Sequence, residues 1–317
     1  MFFKLATLKR RTMLVAAVLL GSCATPQQPP GLEVALTIDD LPLHGPIPAG
    51  ETPRSVAGGV IAALTKAGVP AYGFVNGHWT AEQPDTREPL KAWSGAGLAL
   101  GNHGWAHRHL NEMSPAEFET ELVRNEEILS QSGPGDWRWF RYPFLDEGKD
   151  EAQRSAARRI LAAHGYKIAA VTMDFSDWQW TAPYARCRAQ RDDPAIARLE
   201  AMYMRAADEG ITFARGLSRQ LYGRDIPYVV LLHESAFEAR MLPRLIELYR
   251  SAGFRLVSLP KAESDPAYAD QVSPGAAAEP QGLVGKALAR GIRLPARTDF
   301  APALEAICPG GASAPIP

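Results

Sequence analysis

Short apolar segments alternate with amphipathic helical segments about seven times between residues 32 and 260. The first apolar segment, residues 33–38, has no alternation of apolar and polar side chains, which is typical of a strand covered on both faces. Alternating strand and helix segments indicate parallel strands joined by helical crossovers. The sequence therefore predicts an α/β fold, a distorted (β/α) barrel of about seven parallel strands with a helical insertion and a C-terminal tail.

Capping residues and hydrophobic periodicity predict where the elements begin and end. Thr52 and Pro53 open the first helix, which ends at Gly68. A capping box formed by Ser114 and Glu117 opens another helix. The later predicted strands are residues 71–75, 98–100, 137–140, 167–173, 227–232 and 254–259. The other predicted helices are residues 87–94, 150–164, 193–221 (the long helix of an insertion), 236–251 and 283–290.

The N-terminus has the organisation of a targeting segment. Basic residues precede an apolar stretch, residues 13–20, that is too short to cross a bilayer, since a spanning helix takes about 20 apolar residues. Residues 20–23, Leu-Gly-Ser-Cys, then resemble a bacterial lipobox, which is cut before a cysteine that receives lipid. We therefore predict a lipoprotein signal peptide at residues 1–22, lipidation of Cys23, and a tether at residues 23–31. Ordinary secretory cleavage near Ala24 is the alternative.

The residue after the lipidated cysteine predicts where in the cell the protein resides, and the charge balance predicts which partners it binds. Ala24 favours retention in the outer membrane of a Gram-negative cell, so we expect a lipid anchor on its periplasmic face, or secretion to the periplasm without lipidation. The chain has 34 Lys and Arg against 35 Asp and Glu, with no basic run beyond the N-terminus. These charges predict no nucleic-acid partner, and a monomer is expected.

Two cysteines remain if Cys23 carries lipid, namely Cys187 and Cys308. In an oxidising periplasm such a pair favours a disulfide over two free thiols. We hypothesise that a Cys187–Cys308 bond fixes the C-terminal extension, residues 261–317, which is rich in Ala, Pro and Gly. The extension is expected to pack on the barrel, residues 32–260, and to end in disorder after Pro309.

The turn at residues 101–107 holds two histidines, His103 and His107, whose imidazoles can bind one metal ion from the same side. The corresponding zinc-protease motif needs a Glu after the first His, and this chain has Gly104 there. A third ligand and a base must come from elsewhere. Asp39 and Asp40, which follow the first strand, are adjacent carboxylates that a cation would stabilise. One can bind the metal while the other acts as a base.

All the candidate reactive side chains follow the ends of predicted strands. In a (β/α) barrel these ends share one face, and that face holds the active site. We therefore expect these side chains to meet there. The residues are Asp39, Asp40, His103, His107, Arg141, Asp174, Asp177 and His233.

Five segments, in the order in which they occur along residues 32–259, resemble the motifs of the polysaccharide deacetylases of carbohydrate esterase family four. Any one of these motifs is weak alone, but the ordered set is specific. The motifs are Thr-x-Asp-Asp at 37–40, His-Ser/Thr-x-x-His at 103–107, Arg-x-Pro-aromatic at 141–144, Asp-x-x-Asp-Trp at 174–178, and an apolar run closing on His at 229–233.

The resemblance implies a hydrolytic site with one divalent metal, Zn²⁺ or alternatively Co²⁺ or Ni²⁺. Its three ligands would be Asp40, His103 and His107, which leave an open position as catalytic zinc sites do. Asp39 would be the general base, held ionised and oriented by Arg141. The other implied roles are His233 as general acid, Asp177 as the group that keeps it charged, the Phe144 backbone N–H as oxyanion donor, and Trp178 and Leu231 as an apolar wall for the acetyl methyl.

The chain departs from the family pattern at several positions. Gly104 replaces the usual Ser or Thr, which removes a hydroxyl that could fix the turn between the ligands. Leu41 and Leu145 stand where the family commonly has Gly, which predicts a bulkier rim of the cleft. The insertion, residues 184–224, is expected to cover one side of the groove. Four histidines match no motif and are interpreted as ordinary structural or surface residues: His44, His78, His109 and His164.

The function predicted first is removal of acetyl groups from an N-acetylated glycan by metal-dependent amide hydrolysis. The same site could cleave acetyl esters or a non-sugar amide. Two histidines and a carboxylate also occur in non-haem iron oxygenases, although their His-x-Asp spacing is not found in these motifs. A glycan-binding lipoprotein without turnover is the remaining class, and retention of the base, ligands and acid argues against it.

Overall fold

Strand β1 (Glu33–Leu41) lies inside a seven-stranded sheet in the computed structural model of the chain. The sheet order is β5-β4-β3-β2-β1-β6, with β7 also paired to β1, and every pairing is parallel. This arrangement confirms the predicted parallel α/β fold. The other strands are β2 Tyr72–Val75, β3 Ala99–Asn102, β4 Trp139–Phe140, β5 Lys167–Ile168, β6 Tyr228–His233 and β7 Arg255–Leu256.

The structure describes residues 1–2, 31–82, 86–133, 135–276 and 282–310. Most of the predicted signal peptide and tether, including Cys23, lies outside the described residues, as does the end of the chain after residue 310. Among the described residues, no helix has the length and apolar character needed to cross a membrane.

The sheet curls because the chain after β5 reaches the opposite edge, at β6. The backbone N–H groups of Thr172 and Met173 both donate to the Val229 carbonyl at 3.0 Å, and Met173 pairs with Val230 in a parallel bridge. The predicted strand at residues 167–173 is therefore divided between β5 and this bridge. The result is a distorted barrel in which the carboxyl ends of the strands share one face.

Helices follow the strands, and their capping residues agree with the prediction. Thr52 and Ser114 each form a capping box at a helix start, and Gly68 ends the first helix in the left-handed conformation, with φ 64°. The helices are α1 Pro53–Ala67, α2 Gly77–Glu82, α3 Arg87–Gly95, α4 Pro115–Gln131, α5 Glu151–Ala163, α6 Thr181–Gln190, α7 Asp193–Tyr222, α8 Ala236–Ser251, α9 Leu259–Ala262, α10 Ala269–Val272, α11 Gly282–Ala289 and α12 Ala301–Ala306.

The core lies on both faces of β1. Val34, Leu36 and Ile38 share one face and are fully buried, and Ala35 and Thr37 on the other face are also fully buried. Helices α1 and α8 pack against each other beside the sheet. Burial on both faces explains why the strand reads as a continuous apolar run. Burial of the strand also makes the end of β1 rigid, and with it the backbone of the two carboxylates at positions 39 and 40.

The insertion and the C-terminal extension are joined by a disulfide between Cys187 of α6 and Cys308, the pairing hypothesised from the sequence. Arg186, beside Cys187, donates hydrogen bonds to the carbonyl groups of Leu304 and Ile307. The indole N–H of Trp180 donates to the Leu199 carbonyl and connects the segment before α6 to α7. The disulfide and the Arg186 hydrogen bonds hold the extension against the insertion.

Replacing both Cys187 and Cys308 by alanine is expected to lower the free energy of unfolding by about 2–4 kcal/mol. The bond closes a loop of 121 residues, and a long loop gains the most freedom in the unfolded chain when it is opened. Denaturant unfolding of the two proteins measures the difference. Reductant should weaken the native protein and leave the double variant unchanged. Equal midpoints for the two oxidised proteins would contradict the expected role.

Candidate metal centre and active site

The predicted reactive residues meet at the carboxyl ends of β1, β3, β4 and β6. Asp39 and Asp40 lie at the end of β1, and His103 directly follows β3. His103 Nε2 lies 3.6 Å from Asp39 Oδ2 and 3.4 Å from Asp40 Oδ1. Arg141 directly follows β4, and its Nη1 lies 3.2 Å from Asp39 Oδ2. Side chains distant in the sequence therefore form one polar cluster.

Asp40, His103 and His107 form a group with the geometry of a metal site. Asp40 Oδ1 lies 3.4 Å from His103 Nε2 and 3.3 Å from His107 Nε2, and all the ligand atoms lie within 4.8 Å of one another. His103 Nδ1 lies 2.8 Å from the Arg141 carbonyl oxygen. Since a carbonyl only accepts, Nδ1 carries a proton, which leaves Nε2 as the nitrogen that could bind a metal.

The charge state of these groups fits a divalent cation. Burial lowers the pKa of His107 to about 4, so this imidazole is neutral near pH 7 and free to bind a metal. Burial raises the pKa of Asp40, but the neighbouring histidines outweigh it and hold that pKa well below its usual range. Asp40 Oδ1 is buried without a hydrogen-bond partner in the described part of the chain. Three groups whose ligand atoms converge on one point match the donor set of a metal site.

The turn between the two histidines is fixed by asparagines instead of the hydroxyl that the family pattern supplies. Gly104 has φ 75°, and its N–H donates to Asn102 Oδ1 at 2.9 Å. Asn76 Nδ2 donates to the His103 carbonyl at 2.7 Å, and Asn125 Nδ2 donates to Asn102 Oδ1 at 2.8 Å. This network was not predicted from the sequence. Its signal is a polar side chain at the end of an apolar strand, at 76 and at 102.

Asp39 is positioned by Arg141, and its role as a base stays a prediction. Both side chains are buried, and Arg141 Nη1 lies 3.3 and 3.2 Å from the two Asp39 oxygens. Arg141 Nε donates to the Ala169 carbonyl at 2.9 Å, and Nη2 donates to Thr37 Oγ1 at 3.0 Å. These bonds fix the guanidinium on the barrel wall. The Asp39 carboxylate is therefore held in one orientation beside the candidate metal ligands.

His233 is paired with Asp177 at the end of β6. Its Nδ1 lies 2.9 Å from Asp177 Oδ1, and its backbone N–H donates to Asp177 Oδ2 at 2.8 Å. Burial lowers the pKa of His233, but the ion pair and hydrogen bond with Asp177 outweigh it and raise that pKa to about 10. The imidazolium is therefore the stable form near pH 7. Asp174 braces the same loop, since its Oδ1 accepts the Ser176 N–H at 2.6 Å.

The loops around the site are locally strained. Five residues there adopt the left-handed conformation that non-glycine residues rarely occupy. Leu145 is one of them, with φ 54°, at a position where the family commonly has Gly. The other four are Asp40, His107, Phe144 and Ser176, with φ of 62°, 50°, 56° and 60°.

The apolar side chains predicted for the pocket lie at different depths. The Phe144 ring is 53% exposed, and its centroid lies 4.3 Å from the ring of His107. Trp178 is 40% exposed, whereas Leu231 is buried in β6. Phe144 and Trp178 therefore offer apolar surface to solvent. Their contact with an acetyl group stays a prediction, as does the oxyanion role of the Phe144 N–H.

His44 is the one unmatched histidine whose interpretation must be corrected. Its Nδ1 lies 2.7 Å from Asp40 Oδ2, and its ring centroid lies 4.9 Å from that of His233. It is therefore part of the site. His109 stacks on Phe144 at 3.7 Å, and His164 forms a surface ion pair with Glu119. The signal for His44 is its place four residues after Asp40, across a proline turn.

The chain matches a protein-family model over part of its length. The family model described as polysaccharide deacetylase matches residues 27–169. These residues include Asp39, Asp40, His103, His107 and Arg141, whereas Asp177 and His233 follow them.

Solved structures, including members of carbohydrate esterase family four (CE4), share the fold. A mutant of a CE4 family pseudoenzyme from Bacillus anthracis, with restored enzymatic activity, has a TM-score of 0.53 and 18% identity, over 74% of this chain and 68% of that chain. A deacetylase with substrate has a TM-score of 0.50 and 21% identity, over 74% of this chain and 92% of that chain. The Xyl-CE4 domain of a multidomain xylanase from the hindgut metagenome of Trinervitermes trinervoides has a TM-score of 0.50 and 17% identity, over 76% and 94%. The family model thus covers the first part of the chain, and the solved structures share its fold.

Proposed function

We propose that this protein is a metal-dependent hydrolase that removes acetyl groups from an N-acetylated glycan. The observation that carries the proposal is the placement of three groups within one cluster: the Asp40, His103 and His107 ligand set, the Asp39–Arg141 pair and the His233–Asp177 pair. A pseudoenzyme is among the proteins of similar fold, so the fold alone does not decide between turnover and binding. A complete set of ligands, base and acid favours turnover.

The ligand set fits Zn²⁺, with Co²⁺ or Ni²⁺ as alternatives, because two imidazoles and one carboxylate suit these ions. When bound, such a metal polarises a carbonyl and lowers the pKa of coordinated water. His103 Nδ1 donates to a backbone carbonyl and so keeps Nε2 available as a ligand. Asp39 is outside the ligand set, and its carboxylate can take up a proton.

The protein groups supply the proton transfers that amide hydrolysis requires. Asp39, held by Arg141, would accept the proton of the attacking water. His233, kept as imidazolium by Asp177, would donate a proton to the leaving nitrogen. The nitrogen of an amide leaves poorly as an anion and must be protonated before it departs. A His233 imidazolium that can supply this proton therefore favours cleavage of an amide. The Phe144 N–H would add a donor for the oxyanion, and Trp178 and Leu231 an apolar wall.

The test is acetate release from chitin oligomers, peptidoglycan fragments and acetylated xylan by the mature chain, with and without a chelator. We expect release from an N-acetylated glycan that stops on chelation and returns when Zn²⁺ is added. Release from xylan alone would show an ester hydrolase. No release from any of the three, with zinc bound, would contradict glycan deacetylation and favour a non-sugar amide or a binding role.

We also propose that Cys23 carries lipid and anchors the protein to the periplasmic face of the outer membrane. The lipobox-like residues 20–23 support this proposal. Fractionation of cells that express the native chain and Cys23→Ser tests it. The native chain should remain with the outer membrane, and Cys23→Ser should be soluble in the periplasm. The same distribution for both proteins would contradict the anchor.

Asp177→Asn is expected to lower the pKa of His233 by about one unit or more, because a neutral amide no longer stabilises the imidazolium. His233 would then lose its proton at lower pH, so the alkaline limb of kcat/KM should move to lower pH. Profiles of kcat/KM against pH for both proteins measure the shift. An alkaline limb that does not move would exclude His233 as the acid that sets it.

A further inference from the structure

We propose that His44 is a positioning residue for the candidate metal centre, which it serves by holding the carboxylate of Asp40 through Nδ1. The inference rests on the proposed function, because it concerns the same ligand set. His44 is absent from the five sequence motifs, and it is 7% exposed.

The two oxygens of Asp40 have different partners. Oδ2 lies 2.7 Å from His44 Nδ1, whereas Oδ1 lies 3.4 and 3.3 Å from the Nε2 atoms of His103 and His107. An ionised carboxylate only accepts hydrogen bonds, so His44 Nδ1 must carry the proton and donate it. This bond fixes the rotation of the carboxylate and directs Oδ1 at the two imidazoles. Hydrogen bonds that orient a metal-binding carboxylate raise metal affinity.

The backbone places His44 rigidly enough for this task. Its N–H donates to the Glu234 carbonyl at 2.5 Å, and the Glu234 N–H donates to the Asp39 carbonyl at 3.0 Å. The loop after β1 is thus tied to the end of β6. Asp40 itself lies in the left-handed region, with φ 62°, where the backbone alone favours few conformations. A donor on a fixed loop therefore sets the side chain of a strained residue.

The second ring nitrogen of His44 does not compete with this role. Nε2 is buried without a hydrogen-bond partner among the described residues, so the bond from Nδ1 to Asp40 is what orients the ring. The ligand atoms that lie within 4.8 Å of one another belong to Asp40, His103 and His107. His44 is therefore outside the ligand set and contacts it through Asp40 Oδ2.

The experiment compares zinc affinity of the full chain and two variants, His44→Phe and His44→Asn, by competition with a chromophoric chelator. Phenylalanine keeps a ring of similar size and has no donor, so affinity should fall about 10–100-fold. The amide nitrogen of asparagine occupies the position of Nδ1 and can still donate to Asp40. His44→Asn should therefore bind zinc within about threefold of the native protein.

His78→Phe is the control, because His78 also pairs with a carboxylate, at 3.4 Å, and lies outside the ligand set. It should not change zinc affinity. Native affinity in His44→Phe would overturn the inference. Equal losses in both His44 variants would also overturn it, since packing or ligation through Nε2 would then be responsible. If zinc binds as expected but no glycan is deacetylated, the proposed function fails and the role of His44 stands; if the native chain binds no zinc, both fail.

Discussion

Replacing Asp39 by asparagine is expected to reduce acetate release about 10³-fold, as loss of a general base does. Asparagine has nearly the same shape and can still accept a hydrogen bond from Arg141, which reaches both Asp39 oxygens in the native protein. It cannot take up a proton. The loss should therefore appear in kcat, measured as acetate released at saturating substrate, with little change in KM.

Two controls separate this effect from damage to the site. Zinc affinity should be unchanged in Asp39→Asn, because Asp39 is not one of the grouped ligands. Asp208→Asn, on the exposed face of α7, removes the same charge from a residue outside the site and should keep full activity. If Asp39→Asn retained more than about a tenth of the native rate, another group would have to be the base.

Hydrophobic patterning predicts burial more directly than it predicts pairing, and the strands show the difference. The segments predicted as strands at 137–140, 167–173 and 254–259 contain β4, β5 and β7, each of two residues. Their apolar residues are largely buried, but only a short part meets a neighbouring backbone. β7, for example, pairs only with Glu33 and Val34. Pairing length depends on how the sheet curls, and no local pattern records it.

The difference between local patterns and contacts set by the fold also explains which residues of the site were predicted from the sequence. Asp39, Asp40, His103 and His107 lie in short motifs, so their chemistry is visible in the sequence. The asparagines that fix the histidine turn act across 27 and 23 residues of sequence, and a contact of that kind leaves no periodic signal. His44 is near Asp40 in the sequence, but its role depends on a turn that returns it to the same carboxylate.

Replacing Arg141 by methionine is expected to lower the free energy of unfolding by about 3–5 kcal/mol and to abolish acetate release. Arg141 is 1% exposed and its partner Asp39 is 2% exposed, so the substitution leaves a buried carboxylate without its counter-charge. It also removes the donors to the Ala169 and Ala170 carbonyls. Denaturant unfolding measures the stability, and acetate release at saturating substrate measures the activity.

Arg158→Met is the matched control for this prediction. Arg158 is equally buried, at 2% exposure, but it donates to the backbone carbonyls of Asp270 and Ser273 and forms no ion pair within the described part of the chain. Its loss should cost about 1–3 kcal/mol, the cost of unpaired carbonyls, and should preserve activity. If the two variants were equally stable and equally active, the Asp39–Arg141 pair would be a packing contact. A larger loss in Arg141→Met, with activity lost only there, would show that the buried pair maintains both the fold and the orientation of the base.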